Sequence, residues 1–270
     1  MKNKYLLRAV SLIIFVFIYL VLTRQLVSVF YSDDNKNNLF IIQSIIKMPL
    51  LFLTLFLISK EKKFNHGFLY KNIFLGLLIC SLLIYFSLHF AYIKISTYKV
   101  FVTSYDFYSY LSQCLVTGFF EEFFFRVLIF GYICLAYSNY HYKNYYREVI
   151  LTSFLFAIAH LSGIFNKNID MISIVNQVMF AFLIGIVLQA IMYRFNNIFL
   201  NSIIHGLINF NGMLNQKLLK LKRVEEETTA FEDFSQSLFT FILLGVLVVF
   251  PIFYFSFRRR KNHFIEEHCE

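Results

Sequence analysis

Long apolar runs dominate this chain and leave few folds open. A bilayer core is about 30 Å thick, so a helix that crosses it needs about 20 mostly apolar residues. Such runs, with two shorter ones, occupy Leu6–Val29, Phe40–Ser59, Asn72–Ile93, Tyr108–Tyr137, Val149–Phe165, Met171–Tyr193, Ile198–Phe210 and Phe239–Phe257. The expectation is an all-α, polytopic transmembrane helix bundle of about eight spans. The fourth run is long enough to tilt or to extend past the bilayer. The fifth and seventh are short and contain polar residues, which places them inside the bundle.

Composition agrees. Hydrophobic residues make up 59% of the 270 and charged residues 15%, against about 45–50% and 25% in an average soluble domain. The net charge of +9 does not indicate nucleic-acid binding, because the basic residues sit in short clusters between apolar runs, as the positive-inside rule requires. Counted with both termini inside, fourteen Lys and Arg fall on the cytoplasmic side and nine on the other, with Lys47 and Arg126 left within spans. That bias predicts an N-in, C-in orientation. Lys2, Lys4 and Arg8 ahead of the first run imitate a signal peptide. The run is nevertheless long for one and lacks a small-x-small cleavage site, so it reads as a retained helix.

Cys80, Cys114 and Cys134 lie in apolar runs and Cys269 in the tail, a pattern of small buried hydrophobes rather than disulfides. The absence of Trp and the wealth of Lys, Asn, Ile, Phe and Tyr suggest an AT-rich coding genome and a bacterial cell membrane. No linker or internal repeat divides the chain. It reads as a single integral-membrane domain over 1–270, with a core at about 108–211 and one polar connection, 211–236.

The ionisable residues within the spans carry the functional signal. The fourth run reads Gly118-Phe-Phe-Glu121-Glu122-Phe-Phe-Phe-Arg126-Val127. Each charge costs about 2.5–3.5 kcal/mol at a membrane helix centre, so the three persist only if they face the bundle interior and have partners. Glu122 and Arg126 are spaced i,i+4 with the acid first, the favoured order for a pair. Glu121 is rotated about 100° from Glu122, which leaves it for chemistry. The fifth run places Phe156 and His160 on one face. The seventh does the same for His205 and Asn209, with Gly206 allowing close backbone approach. A Glu and a His can hold and deprotonate a water, and a second His with an Asn amide can donate to the oxyanion of a tetrahedral intermediate. Together they can perform amide hydrolysis. His66, His89, His141, His263 and His268 read as loop, tail or packing residues.

EExxxR (Glu121, Glu122, Arg126), FxxxH (Phe156, His160) and HxxxN (His205, Asn209), in this order on successive helices, resemble the CAAX protease and bacteriocin-processing (CPBP) family, also called Abi or type II CAAX prenyl endopeptidase-like. The resemblance covers about Gly118 to Phe210. It implies an intramembrane endopeptidase in which Glu121 and His160 activate the water and His205 and Asn209 form the oxyanion hole. Glu122 and Arg126 would support the site, with Phe156 beside His160. The substrate implied is a membrane-associated peptide or lipidated protein. Val127 departs from the Gly that many relatives carry after the Arg. Glu plus two His also matches a catalytic zinc set, with Glu121, His160 and His205 as ligands if a metal is used. There is no HExxH, and the resemblance implies a glutamate-dependent mechanism without cofactor. Two other readings remain: a non-catalytic membrane partner, such as a bacteriocin self-immunity protein or sensor-kinase modulator, and an ion-coupled transporter, for which no inverted repeat speaks.

Overall fold

The computed structural model describes residues 2–30, 39–61, 73–137, 145–165, 171–195 and 197–217. These are helical nearly throughout, in the order α1 (Lys2–Phe30), α2 (Leu39–Lys60), α3 (Ile73–Tyr98), α4 (Ser104–Glu122), a π-helical stretch (Phe123–Ile129), α5 (Phe130–Ala136), α6 (Tyr145–Ala159), a 3-10 turn (His160–Phe165), α7 (Met171–Phe195) and α8 (Ile198–Lys217). The protein is an all-α membrane helix bundle. Asn3–Thr23, Phe40–Lys60, Gly76–Tyr98 and Met171–Met192 are each long and apolar enough to cross a bilayer unaided. Their outward faces carry bare apolar side chains, such as Phe52, Leu77, Tyr85 and Phe86, which lipid solvates and water does not.

Two expectations change. The fourth predicted span is interrupted, because the α-helix gives way to π geometry directly after Glu122. The polar connection placed at 211–236 starts later, since α8 continues to Lys217. There, Asn211 and Leu214 are part of the helix: the Asn211 amide donates to the Leu207 carbonyl and Leu214 is fully buried. The remainder of that connection, the eighth span at Phe239–Phe257, and His66, His141, His263, His268 and Cys269 lie outside the described residues.

The Cα packing divides the chain into two compact units. One comprises Leu22–Leu128 and Phe195–Val224. In it α4 packs against both α2 and α8, and α8 also packs against α3. Local signals set the helix ends. Lys99, in the left-handed region at φ 49°, closes α3, and the Val100 N–H turns back to the Ile95 carbonyl. Thr103 caps α4 by accepting from the Asp106 N–H at 3.1 Å. Asn197 caps α8 by accepting from the Leu200 N–H at 3.0 Å.

α4 and α8 cross where neither has a side chain. A Cβ on Gly118 would lie 2.5 Å from the Ser202 carbonyl oxygen and 2.6 Å from the Gly206 nitrogen, and one on Gly206 would meet the backbone of Cys114 and Leu115. The two backbones therefore touch, as small residues permit inside membranes. On one side of this crossing Tyr110, Phe210 and Leu214 are buried together with Ala91 of α3, and the Tyr110 hydroxyl donates to the Phe210 carbonyl at 3.1 Å. On the other side, one turn along α4, stand Glu121 and Glu122.

The described residues of the second unit lie within Met1–Val21 and Ile129–Arg194. Within it α5 packs on α6. Gly185 of α7 lets that helix approach Ser153 of α6, since a Cβ there would lie 3.0 Å from the serine side chain.

Candidate active site

The crossing of α4 and α8 sets two adjacent glutamates against one histidine. Glu122 is fully buried and all of its resolved partners are donors. The Arg126 Nε–H donates to Oε2 at 3.2 Å, one turn further along. The Asn201 amide of α8 donates to the same oxygen. His205 Nδ1 lies 2.8 Å from Oε1. A carboxylate held by a guanidinium and an amide has only acceptor capacity left, so His205 must carry its proton on Nδ1 and donate it there.

That bond fixes the other nitrogen. His205 Nε2 points at Glu121, with Oε2 at 3.4 Å. Glu121 is the less enclosed of the two acids, its side chain 19% exposed against 0% for Glu122. The two glutamates thus divide the histidine: Glu122 holds Nδ1 from a sealed position, and the more exposed Glu121 faces Nε2. Asn209, one turn beyond His205 on α8, shares that helical face, and its carbonyl lies near the Tyr110 hydroxyl.

Phe156 and His160 belong to the other unit. His160 opens the 3-10 turn at the end of α6. Its Nδ1 donates to the Phe156 carbonyl at 3.0 Å, and the two rings meet edge to face with centroids 4.9 Å apart. The predicted i,i+4 partnership is therefore a physical contact. With Nδ1 spent on the backbone, Nε2 is the nitrogen left for chemistry.

Zinc needs three protein ligands converging at about 2.0–2.3 Å. Glu121 Oε2 and His205 Nε2 are spaced as two such ligands could be. Among the described residues, no three His, Cys, Asp or Glu side chains group to hold a metal.

The helix that carries this site begins at the Thr103 cap, and the match to known proteins begins at the same residue. Residues 103–211 match the family described as Type II CAAX prenyl endopeptidase Rce1-like. That segment is similar to an Rce1-like domain. No curated protein and no solved structure matches the chain significantly. The Rce1-like segment takes in every motif residue that the sequence pointed to, from Glu121 to Asn209, and ends on Asn211 of α8.

Sequence reasoning anticipated the Glu122–Arg126 pair but not that Glu122 also grips α8. Asn201 was overlooked, although its spacing of four from His205 puts it on the same face. Val127, the departure from the family pattern, is buried inside the π-helical stretch of the Rce1-like domain.

Proposed function

We propose that this chain is an intramembrane endopeptidase that hydrolyses a peptide bond in a membrane-associated or lipidated peptide or protein. We place it in a bacterial cell membrane, N-in and C-in, on the distribution of Lys and Arg. The observation that carries the catalytic reading is the chain Arg126–Glu122–His205–Glu121, in which one acid holds Nδ1 of the histidine and the other faces its Nε2.

In this reading Glu121 takes a proton from a water whose oxygen attacks the scissile carbonyl carbon. The carbonyl π pair moves onto oxygen, and the oxyanion accepts hydrogen bonds from the Asn209 amide and from the Nε2–H of His205, which acts in this step protonated on both nitrogens. Collapse re-forms the carbonyl and breaks the C–N bond. The proton held by Glu121 passes to the leaving nitrogen, so the carboxylate is restored. Glu122 and Arg126 touch no substrate; they hold the Nδ1–H edge of His205 and so aim Nε2. His160 assists in holding the water, a share that rests on the motif order. No metal or cofactor takes part.

The test is mass spectrometry of membrane and secreted peptides from cells carrying wild type or Glu121→Gln. A peptide whose cleaved form vanishes only in the variant establishes the protease and names its substrate. Identical profiles, with a phenotype that still depends on the protein, would show that it acts by contact with a partner.

A further inference from the structure

Lys47 is the sole charged residue in the second predicted span, and the hydrolytic reading gives it no part. Its Nζ donates to the Thr117 hydroxyl at 2.6 Å. Thr117 in turn donates to the Gln113 carbonyl at 2.7 Å, so its oxygen lone pairs are what the ammonium meets. One turn earlier on both helices, the Gln113 amide donates to the Gln43 side-chain oxygen. Positions 43 and 47 of α2 therefore face positions 113 and 117 of α4, and the spacing of four on α4 continues to Glu121. A polar stripe runs through an otherwise apolar helix interface and ends at the proposed base.

The charges around that base are unevenly shared. Arg126 is committed to Glu122, and the Nδ1 proton of His205 is committed there as well. From α8 the His205 Nε2 edge faces Glu121, 3.4 Å from Oε2, and on its own helix its neighbour is a second anion, Glu122. From α2 comes Lys47, whose Nζ is held on Thr117 of α4 at 2.6 Å, one helical turn before Glu121. In a low-dielectric interior a carboxylate without a counter-charge is strongly disfavoured.

We propose that Lys47, held by Thr117, is a positioning residue of this site that keeps the Glu121 carboxylate turned toward His205. The proposal rests on the reading of Glu121 as the base. Lys47 touches no reacting atom in it; its contribution is a fixed positive field from the neighbouring helix.

Three variants in detergent or nanodisc preparations of the full chain separate charge from architecture. With the substrate found above, Lys47→Gln should lower kcat at least about tenfold with KM little changed, as loss of an outer-shell partner does. Lys47→Arg should recover most of that loss, while Gln43→Leu, which cuts the same stripe one turn away, should leave kcat near wild type. Equal losses for Lys47→Gln and Lys47→Arg, or an unchanged kcat in Lys47→Gln, would overturn the assignment. A thermal double-mutant cycle of Lys47→Gln with Glu121→Gln needs no substrate. The two changes in Tm should be non-additive, and simple additivity would overturn the pairing. If Glu121→Gln leaves cleavage intact, the protease reading fails on its own account, and the cycle still decides whether Lys47 serves Glu121.

Discussion

His205 Nδ1 stands 2.8 Å from the Glu122 carboxylate, and this contact joins α4 to α8 at the level of the proposed chemistry. It makes Glu122 an organiser of the site. Its neighbour Glu121 meets the opposite edge of the same ring. Adjacent acids therefore have separate duties, and variants of each should fail in different ways.

Glu122→Gln removes a buried charge and keeps the shape. It leaves the Arg126 guanidinium without its anion and one acceptor oxygen for Arg126, Asn201 and His205 to share, so both fold and function should suffer. Breaking one side of a buried ion pair costs about 3–5 kcal/mol. Glu121→Gln should instead unfold close to wild type while losing cleavage. Thermal unfolding in detergent, run beside a peptide-cleavage assay, measures both. Equal Tm losses for the two variants would refute the division of roles.

Gly118→Ala should be among the most damaging single-methyl changes in the chain. Its Cβ would sit 2.5 Å from a backbone carbonyl oxygen, which no rotamer change can relieve. α4 and α8 would have to separate, and the overpacking cost is about 1–3 kcal/mol. Cleavage should fall further than stability, because Glu122 and His205 move apart with the helices. Gly212→Ala is the control, since nothing lies within 4 Å of a Cβ there. The Tm and initial rate of the two variants, measured side by side, check this.

Tyr110→Phe should cost about 1 kcal/mol, the value of one buried hydrogen bond, here the one from the Tyr110 hydroxyl to the Phe210 carbonyl. The ring keeps its packing on Phe40 and Phe210, and the lost bond lies on the far side of the glycine crossing from His205. Activity per folded molecule should be unchanged. A kcat loss exceeding the loss of folded protein would mean that this end of α8 is coupled to the chemistry.

Chelation distinguishes the two mechanisms that a Glu–His pair permits. With the hydrolytic water activated by Glu121 alone, 1,10-phenanthroline and EDTA should leave the initial rate of purified protein unchanged. Inhibition reversed by added zinc would instead make Glu121 and His205 metal ligands.

The sequence by itself determined the membrane environment and singled out the candidate site residues. Apolar runs of bilayer length admit only helices, and the cost of charge in lipid singles out Glu121, Glu122 and Arg126 without any coordinates. Spacing of four suffices for contacts within one helix, so Glu122–Arg126 and Phe156–His160 were legible. Contacts between helices were not, because periodicity gives a face and not the partner that meets it. Only the tertiary structure brought Asn201 and His205 to Glu122, Thr117 to Lys47, and Gly118 to Gly206. Each depends on how closely two helices approach and in which register they cross. That is settled by packing over many residues and leaves no local mark in the sequence. The π-helical stretch after Glu122 was hidden for a related reason: a shift from α to π hydrogen bonding leaves the composition of Phe123–Ile129 unchanged.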